Sequence, residues 1–221
     1  MPATAAAPRL YTIPKPGGGE RLMTGLSRPD ARSWLGLAVA AAPAVERALG
    51  PEVLGNRWDG ARGRLRPFRP GLRRGRAAAA RMAERADTLI RTDVAGCYGS
   101  IAPGVVERAL RRVGAGRDTA SSAARAAGRW SELGVPGLPV GPEPSALFAN
   151  AVLASADEAL RLAGVRFLRW VDDLLLDPGR RSAADALAIV DEAWARAGLV
   201  RASAKTAFGL GDASSLWCGY E

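Results

Sequence analysis

The sequence contains no histidine, and this absence excludes several kinds of chemistry at once. Catalytic triads, imidazole acid–base catalysis and most zinc sites depend on histidine nitrogens. The two cysteines, Cys97 and Cys218, stand in apolar surroundings without metal-ligand spacing. Any catalytic site must therefore be built from carboxylates, hydroxyls, amides and cationic side chains.

Long hydrophobic runs are missing as well. The longest apolar stretch, residues 35–45, contains Pro43 and is too short to cross a hydrocarbon core of about 30 Å. Residues 1–7 lack the basic region and apolar block of a secretory signal. The sequence predicts no membrane span, and we expect a cytoplasmic protein.

Lysine is scarce in a strongly basic chain. The net charge is +9, and of 31 cationic residues only Lys15 and Lys205 are lysines. This charge suits a polyanionic partner, although it can also serve solubility alone. Eleven arginines lie between residues 57 and 91 beside only three acidic residues. That segment either follows a phosphate backbone or forms a solvated helix face.

The 221 residues suffice for one large domain or two small ones. The Pro/Gly-rich first 30 residues predict a turn or a mobile hairpin between short strands. Helices alternating with short strands predict an α/β or α+β domain. The predicted helices are 33–49 with an interruption at Pro43, 72–86, 103–113, 119–130, 145–162 and 182–197, and the predicted strands are 88–94, 166–171, 174–176, 199–201 and 216–220.

Carboxylates stand where two of the predicted strand regions end. Asp93 closes the first β-branched run, while Asp172 and Asp173 lie between two short apolar runs that predict a hairpin. If these strands pair, the carboxylates converge at one edge of a sheet, where their oxygens can hold Mg²⁺. Two such ions about 3.5–4 Å apart would support phosphoryl transfer. In isolation, an Asp-Asp pair is more often a polar turn than a metal site.

Five segments in a fixed order favour the metal-site interpretation of these aspartates. TDVAGCYGSI, GLPVGPEPSALFANAVLASAD, RFLRWVDDLLL, GLVRASAKT and SSLWCGYE resemble the successive palm motifs of reverse transcriptases, and IPKPGGGERLM is similar to their fingers motif. The likeness runs from Ile13 to Glu221. It implies an α+β right-hand polymerase domain over residues 1–221, with about 1–87 mainly fingers and about 88–221 mainly palm, an antiparallel sheet backed by helices.

The resemblance implies an RNA-directed DNA polymerase that joins dNTPs to a primer 3′-hydroxyl by two-metal nucleotidyl transfer. Asp93 and Asp172 would be the main ligands of two Mg²⁺ ions, which Mn²⁺ can replace, with Asp173 supporting them. Lys205 would lie near the departing pyrophosphate and donate a proton. The catalytic group is thus Asp93, Asp172, Asp173 and Lys205, and the implied partners are an RNA template, a DNA or other primer and dNTPs.

Further roles follow from the same likeness. Lys15 and Arg21 would grip the triphosphate, and Tyr98 would lie beneath the sugar and exclude a 2′-hydroxyl. Gly141, Ser145 and Asn150 would bind nucleotide or template, while Trp217 and Gly219 would hold the primer end. Without the surrounding motifs, Tyr98 would be a core tyrosine, Asn150 a capping or surface amide, and Trp217 ordinary strand packing.

Two departures from the family pattern matter. Val140 stands where the family often has glutamine, a form closer to bacterial abortive-infection and defence-associated reverse transcriptases, which implies a role in anti-phage defence. The sequence ends at Glu221, directly after the primer-grip motif, so we expect a partner protein or oligomer to supply the absent thumb. A non-catalytic nucleic-acid-binding module and an RNA-dependent RNA polymerase are the alternatives.

Overall fold

The computed structural model describes residues 7–15 and 18–209, and in these ranges helices and short antiparallel strands form an α+β fold. The strands are β1 (Arg9–Pro14), β2 (Glu20–Gly25), β3 (Trp58–Asp59), β4 (Arg64–Leu65), β5 (Ile90–Thr92), β6 (Arg166–Trp170), β7 (Asp173–Asp177) and β8 (Ala207–Phe208). The helices are α1 (Arg28–Ala48), α2 (Phe68–Ala83), α3 (Cys97–Ser100), α4 (Pro103–Arg112), α5 (Arg117–Glu132), α6 (Glu143–Leu162) and α7 (Ala183–Ala195).

The main sheet has four strands in the order β6-β7-β5-β8, with every neighbour antiparallel. The predicted hairpin is confirmed, because β6 and β7 pair with Trp170 opposite Asp173. β5 pairs with β7, and Thr92 lies opposite Leu174. This topology brings the end of β5 and the start of β7 to the same end of the sheet.

Successive side chains along each strand point to opposite faces of this sheet, and both faces are covered by helices. Phe167, Leu174 and Leu176 belong to the large core cluster that includes helices α1 and α4–α7. Leu168 and Leu175 face the other way and pack with residues of α2 in a smaller cluster. The sheet is therefore sandwiched, with α2 on one side and the other helices opposite.

The outer edge of β6 is covered by the segment 52–54. Val53 forms a parallel bridge with Arg169. The Leu54 amide donates to the Arg169 carbonyl at 2.8 Å, and the Arg169 amide donates to the Glu52 carbonyl at 2.9 Å. An uncovered strand edge invites pairing with other chains, and this segment prevents it on the β6 side.

Helix α1 begins earlier than predicted and runs through Pro43. Ser27 caps it, since its hydroxyl accepts a hydrogen bond from the Asp30 amide. The interruption predicted at Pro43 is wrong. A proline inside a helix costs about 3 kcal/mol, but buried neighbours such as Ala42 and Val45 hold both sides of α1 against the core.

The first 30 residues contain the predicted hairpin, formed by β1 and β2. The strand predicted at 199–201 is reduced to one bridge between Val94 and Arg201, followed by a 3₁₀ turn at Ser203–Lys205. The strand predicted at 216–220 lies outside the described residues. Within the described ranges, none of the helices has the length and apolar character needed to span a bilayer.

Candidate active site

The candidate site lies where β5 ends and β7 begins. Asp93 directly follows β5, Asp172 lies in the turn between β6 and β7, and Asp173 is the first residue of β7. Because Thr92 pairs with Leu174, Asp93 and Asp173 lie on neighbouring strands at equivalent heights. Asp93 and Asp173 are buried and Asp172 is partly buried.

Lys205 is directed at these carboxylates from the 3₁₀ turn after α7. Its Nζ lies 2.5 Å from Asp93 Oδ2, and the turn is anchored by the Ala202 amide, which donates to the Asp93 carbonyl at 2.8 Å. The hydrogen bond to Asp93, followed by the charges of Asp93, Asp172 and Asp173, raises the pKa of Lys205 above its ordinary value. The four predicted catalytic groups are thus electrostatically coupled.

The carboxylates also act on one another. Burial, followed by the charges of Asp173 and Asp93, raises the pKa of Asp172 from 3.8 to about 6, against the opposing effect of Lys205. Asp173 is held by Arg91, whose guanidinium lies 3.3 Å from Asp173 Oδ1. A cluster of acids that resist being charged together attracts cations.

The donor set fits a divalent cation in its chemistry. All three side chains offer hard carboxylate oxygens, the ligands that Mg²⁺ prefers. Asp93 Oδ1 is buried without a hydrogen-bond partner and so has an acceptor site to spare. In the described part of the chain, His, Cys, Asp and Glu side chains form no group of three with metal-holding spacing. The ammonium of Lys205 instead neutralises Asp93.

The turn that carries Asp172 has an unusual backbone. Val171 has a φ of 59°, a left-handed conformation that a β-branched residue rarely adopts and that costs about 1–3 kcal/mol. The backbone of residue 55 packs tightly against this turn, because a Cβ on Gly55 would lie 2.7 Å from the Val171 nitrogen. The turn is therefore imposed by its surroundings.

Sequence reasoning missed the residue that contacts this turn most closely. Arg169 is 1% exposed, and its guanidinium donates to the Val171 carbonyl at 2.7 Å and to Asp157. The available signal was a single arginine within the apolar run of β6, together with an aspartate on a strongly apolar helix. Buried arginine requires a partner, and Asp157 is that partner.

Tyr98 lies on α3, close to the carboxylates. Burial, Cys97 and Asp172 raise the pKa of its hydroxyl well above the ordinary value, and Arg21 opposes them. The Leu138 amide donates to the Tyr98 carbonyl at 2.8 Å. Gly137 makes this contact possible, since its φ is 58° and a Cβ there would lie 2.3 Å from the Tyr98 carbonyl oxygen. The loop before α6 is thus docked against α3.

The β1–β2 hairpin contacts the same loop. The Thr24 amide donates to the Val140 carbonyl at 2.8 Å. Gly141 has a φ of 116°, and a Cβ there would lie 3.1 Å from Met23 Cε. Lys15 follows β1 and is exposed, and Arg21 is exposed on β2 opposite Ile13.

Ser145 and Asn150 are buried in α6 rather than presented to solvent. The Ser145 hydroxyl is 0% exposed and accepts a hydrogen bond from Trp34 Nε1 at 3.0 Å. The Asn150 amide donates to the carbonyls of Gly55 and Asn56 and accepts from Arg169. Nucleotide binding by these two residues stays a prediction. Trp217 and Gly219 lie outside the described residues.

The arginine-rich segment forms much of α2. Its buried face consists of Gly71, Leu72, Gly75 and Ala79. The opposite side is solvent-exposed and carries Arg69, Arg73, Arg74 and Arg81. In the part of the chain that the structure describes, these four arginines form no ion pair with an acidic side chain. We call them the α2 arginine face.

Neither a scan against protein-family models nor a search of curated proteins found a match to this chain.

Proposed function

We propose that this chain is an RNA-directed DNA polymerase that adds dNTPs to a primer 3′-hydroxyl. The observation that supports this proposal is the convergence of Asp93, Asp172, Asp173 and Lys205 at one end of an antiparallel sheet. These residues come from three separate parts of the sequence. Their order and spacing resemble the palm motifs of reverse transcriptases.

Asp93 and Asp172 would hold Mg²⁺, and Asp173 would support them from its ion pair with Arg91. When bound, the metal would lower the pKa of the primer hydroxyl and neutralise charge on the phosphates. The elevated pKa of Asp172, about 6, means that its charged form is destabilised in the metal-free site, and a bound cation would relieve this destabilisation. Lys205 carries a proton on Nζ that it can donate to the pyrophosphate leaving group.

The β1–β2 hairpin and α3 would bind the nucleotide. Lys15 and Arg21 are exposed cations on this hairpin, which is hydrogen-bonded to the Val140 carbonyl through the Thr24 amide. We propose that both cations contact the triphosphate. The docked loop around Gly137 holds the α3 backbone at Tyr98. From the resemblance of this segment to the palm motif of reverse transcriptases, we propose that the Tyr98 ring lies beneath the sugar, excludes a 2′-hydroxyl and so selects deoxynucleotides.

The template would lie along the basic surface. Guanidinium groups contact phosphates through fixed, paired donors. The α2 arginine face belongs to a helix that packs on β6 of the main sheet. An RNA template bound on this face would lie on the outer side of the helix that covers the strand leading into the Asp172 turn. The Val140 motif further suggests a role in bacterial anti-phage defence.

Primer extension tests this proposal directly. The purified chain is incubated with an RNA template, an annealed DNA primer, Mg²⁺ and labelled dNTPs or rNTPs, beside Asp172→Ala. We expect dNTP incorporation by the wild type that is at least 1,000-fold lower in the variant. Equal incorporation by both proteins, or none by either, would contradict the proposal. Preferred incorporation of rNTPs would indicate an RNA-dependent RNA polymerase.

One observation favours a second candidate, a nucleic-acid-binding module without catalysis. The α2 arginine face can bind RNA whether or not the carboxylates react. In that case RNA binding would be retained and the extension assay would give no product from either protein. The coupled carboxylates and Lys205 argue for the polymerase instead, since a binding module has no need of them.

A further inference from the structure

A fully buried ion pair lies directly behind the candidate active site. Arg169 on β6 makes a two-pronged contact with Asp157 on α6, with its Nε 2.8 Å from Oδ1 and one terminal nitrogen 2.7 Å from Oδ2. The Arg169 and Asp157 side chains are 1% and 0% exposed. Buried ion pairs contribute little net stability compared with apolar residues of the same size. Fold stability therefore does not explain why this ion pair is present.

The remaining guanidinium nitrogen of Arg169 supplies that explanation. It donates to Asn150 Oδ1 at 2.8 Å and to the Val171 carbonyl at 2.7 Å. Asn150 in turn donates to the carbonyls of Gly55 at 3.3 Å and Asn56 at 3.0 Å. Through these hydrogen bonds, the three buried side chains hold two backbone segments that contact each other. One segment is residues 55–56, and the other is the turn at Val171.

Both fastened segments contain a residue in the left-handed conformation, which asparagine tolerates and valine disfavours. Val171 has a φ of 59° and Asn56 a φ of 54°, and they are the only non-glycine residues with positive φ in the described chain. The two segments meet where Gly55 approaches the Val171 nitrogen. A left-handed valine persists only when its surroundings over-determine it.

We propose that Arg169, together with Asp157 and Asn150, is a positioning residue that holds Val171 in the left-handed conformation and thereby aims Asp172. The Val171 carbonyl belongs to the peptide group that joins Val171 to Asp172. Fixing that peptide plane fixes the direction in which the Asp172 side chain leaves the turn. The consequence for metal binding rests on the proposed function, whereas the coupling of Arg169 to Val171 does not.

Comparing glycine with alanine at position 171 tests the coupling. Both replacements remove the two γ-methyl groups of valine, so the packing that they lose differs only by the Cβ methyl of alanine. Glycine is favoured over alanine where φ is positive and alanine over glycine elsewhere. We expect Val171→Gly to melt about 2–4 °C above Val171→Ala in the wild-type background, given the usual conversion for a chain of this size.

The same comparison is then made in Arg169→Met/Asp157→Leu, which replaces the buried pair by apolar residues of similar size. We call the excess of the melting temperature of the glycine variant over that of the alanine variant the glycine advantage. Without the hydrogen bonds of Arg169 and Asp157, we expect this glycine advantage to vanish or reverse. An equal glycine advantage in both backgrounds would overturn the proposal, because the turn would then be left-handed without Arg169. Ala188→Gly, at an exposed site in α7, should lower the melting temperature equally in both backgrounds.

Mn²⁺ affinity, measured by the electron paramagnetic resonance signal of the free ion, gives the second readout. We expect Arg169→Met/Asp157→Leu to bind Mn²⁺ about 10-fold more weakly than the wild type, and Val171→Gly in that background to restore part of the affinity. An unchanged Mn²⁺ affinity in the folded double variant would overturn the proposal that Arg169 orients Asp172. Absence of Mn²⁺ binding by the wild type, with the glycine advantage still dependent on Arg169, would contradict the proposed function while supporting the coupling.

Should the double variant fail to fold, Arg169→Lys replaces it. A lysine ammonium keeps the charge opposite Asp157 but lacks the fork that reaches Asp157, Asn150 and Val171 together. We expect Arg169→Lys to reduce the glycine advantage at position 171 by at least half. A full glycine advantage with lysine at position 169 would count against the proposal.

Discussion

The Nζ of Lys205 lies 2.5 Å from Oδ2 of Asp93, although 112 residues separate them in the sequence. One of the two lysines in a chain with 29 arginines thus neutralises the acid that directly follows β5. The Lys205 side chain is 69% exposed, and it reaches Asp93 from a short turn. This ion pair sets the charge at the candidate metal site before any cation arrives.

Removing the ammonium should strengthen metal binding. In Lys205→Ala, Asp93 loses its nearest positive charge, so a divalent cation no longer competes with Lys205 for Oδ2. We expect the affinity for Mn²⁺ in the absence of nucleotide to rise about 2–10-fold, which corresponds to roughly 0.4–1.4 kcal/mol. Dialysis or calorimetry measures this affinity. Because an exposed ion pair adds at most about 1 kcal/mol, the fold should tolerate the change.

Arg196→Ala serves as the control for that measurement. Arg196 is an exposed cation at the end of α7, and it pairs with Glu192 rather than with the site. We expect its replacement to leave the Mn²⁺ affinity unchanged. Weaker Mn²⁺ binding in Lys205→Ala would argue that Lys205 supports the metal instead of competing with it.

The elevated pKa of Asp172 predicts a pH-dependent stability. Folding raises this pKa from 3.8 to about 6, so the folded state binds a proton more tightly than the unfolded state. The resulting penalty is absent below pH 3.8, grows as the pH rises, and is complete above about pH 6. A shift of this size corresponds to about 3 kcal/mol.

Asp172→Asn mimics the protonated acid and should remove the penalty. In metal-free buffer we expect the variant to exceed the wild type in free energy of unfolding by up to about 3 kcal/mol at pH 8. The two proteins should converge near pH 4. Urea unfolding at both pH values measures this difference, and a difference that stays constant over that range would refute the assignment.

The α2 arginine face predicts salt-dependent binding of RNA. Each phosphate contact that is lost should reduce the slope of log affinity against log salt by about 0.7 for a single strand. We therefore expect Arg69→Gln/Arg73→Gln to lower this slope by about 1.4. Fluorescence anisotropy with a labelled oligonucleotide measures it.

A matched pair on α4 provides the comparison. Arg108 and Arg112 are exposed, and α4 packs in the large core cluster rather than with α2. The double glutamine variant at these positions has the same charge change. Equal effects from both pairs would indicate binding through net charge alone, without a defined face.

The loop at Gly137 predicts an unequal response of two glycines. Gly134 and Gly137 both have positive φ, but only Gly137 has backbone within 3 Å of the position that a Cβ would take. Gly134→Ala should cost about 1–2 kcal/mol from backbone strain alone. We expect Gly137→Ala to cost at least twice as much and to displace α3, which thermal unfolding and the near-ultraviolet spectrum would detect. Equal costs would contradict the docking of this loop on Tyr98.

Much of the scaffold was predictable because it depends on local patterns. Helix α6 combines a Gly/Pro-rich start with a long apolar run, and the β6–β7 hairpin follows from two apolar runs around an acidic pair. The convergence of Asp93 with Asp173 required only that β5 pair with this hairpin. Pro43 was misjudged because tertiary packing of α1 outweighs the local cost of the proline.

The network behind the site could not be predicted in the same way. Arg169, Asp157 and Asn150 are of residue types that usually lie at the surface, and although Arg169 and Asp157 stand in apolar segments, the sequence does not show that all three are buried together. Their role depends on the approach of Gly55 to Val171, a contact between segments more than 100 residues apart. Contacts of this kind follow from the assembled fold and not from spacing.

An anomalous difference map from a crystal of this chain soaked with MnCl₂ and a non-hydrolysable dNTP tests the central claim most directly. The account predicts manganese in contact with the carboxylates of Asp93 and Asp172, with Lys205 released from Asp93 and turned toward the phosphates. Manganese bound elsewhere, with the Lys205–Asp93 ion pair intact, would contradict it.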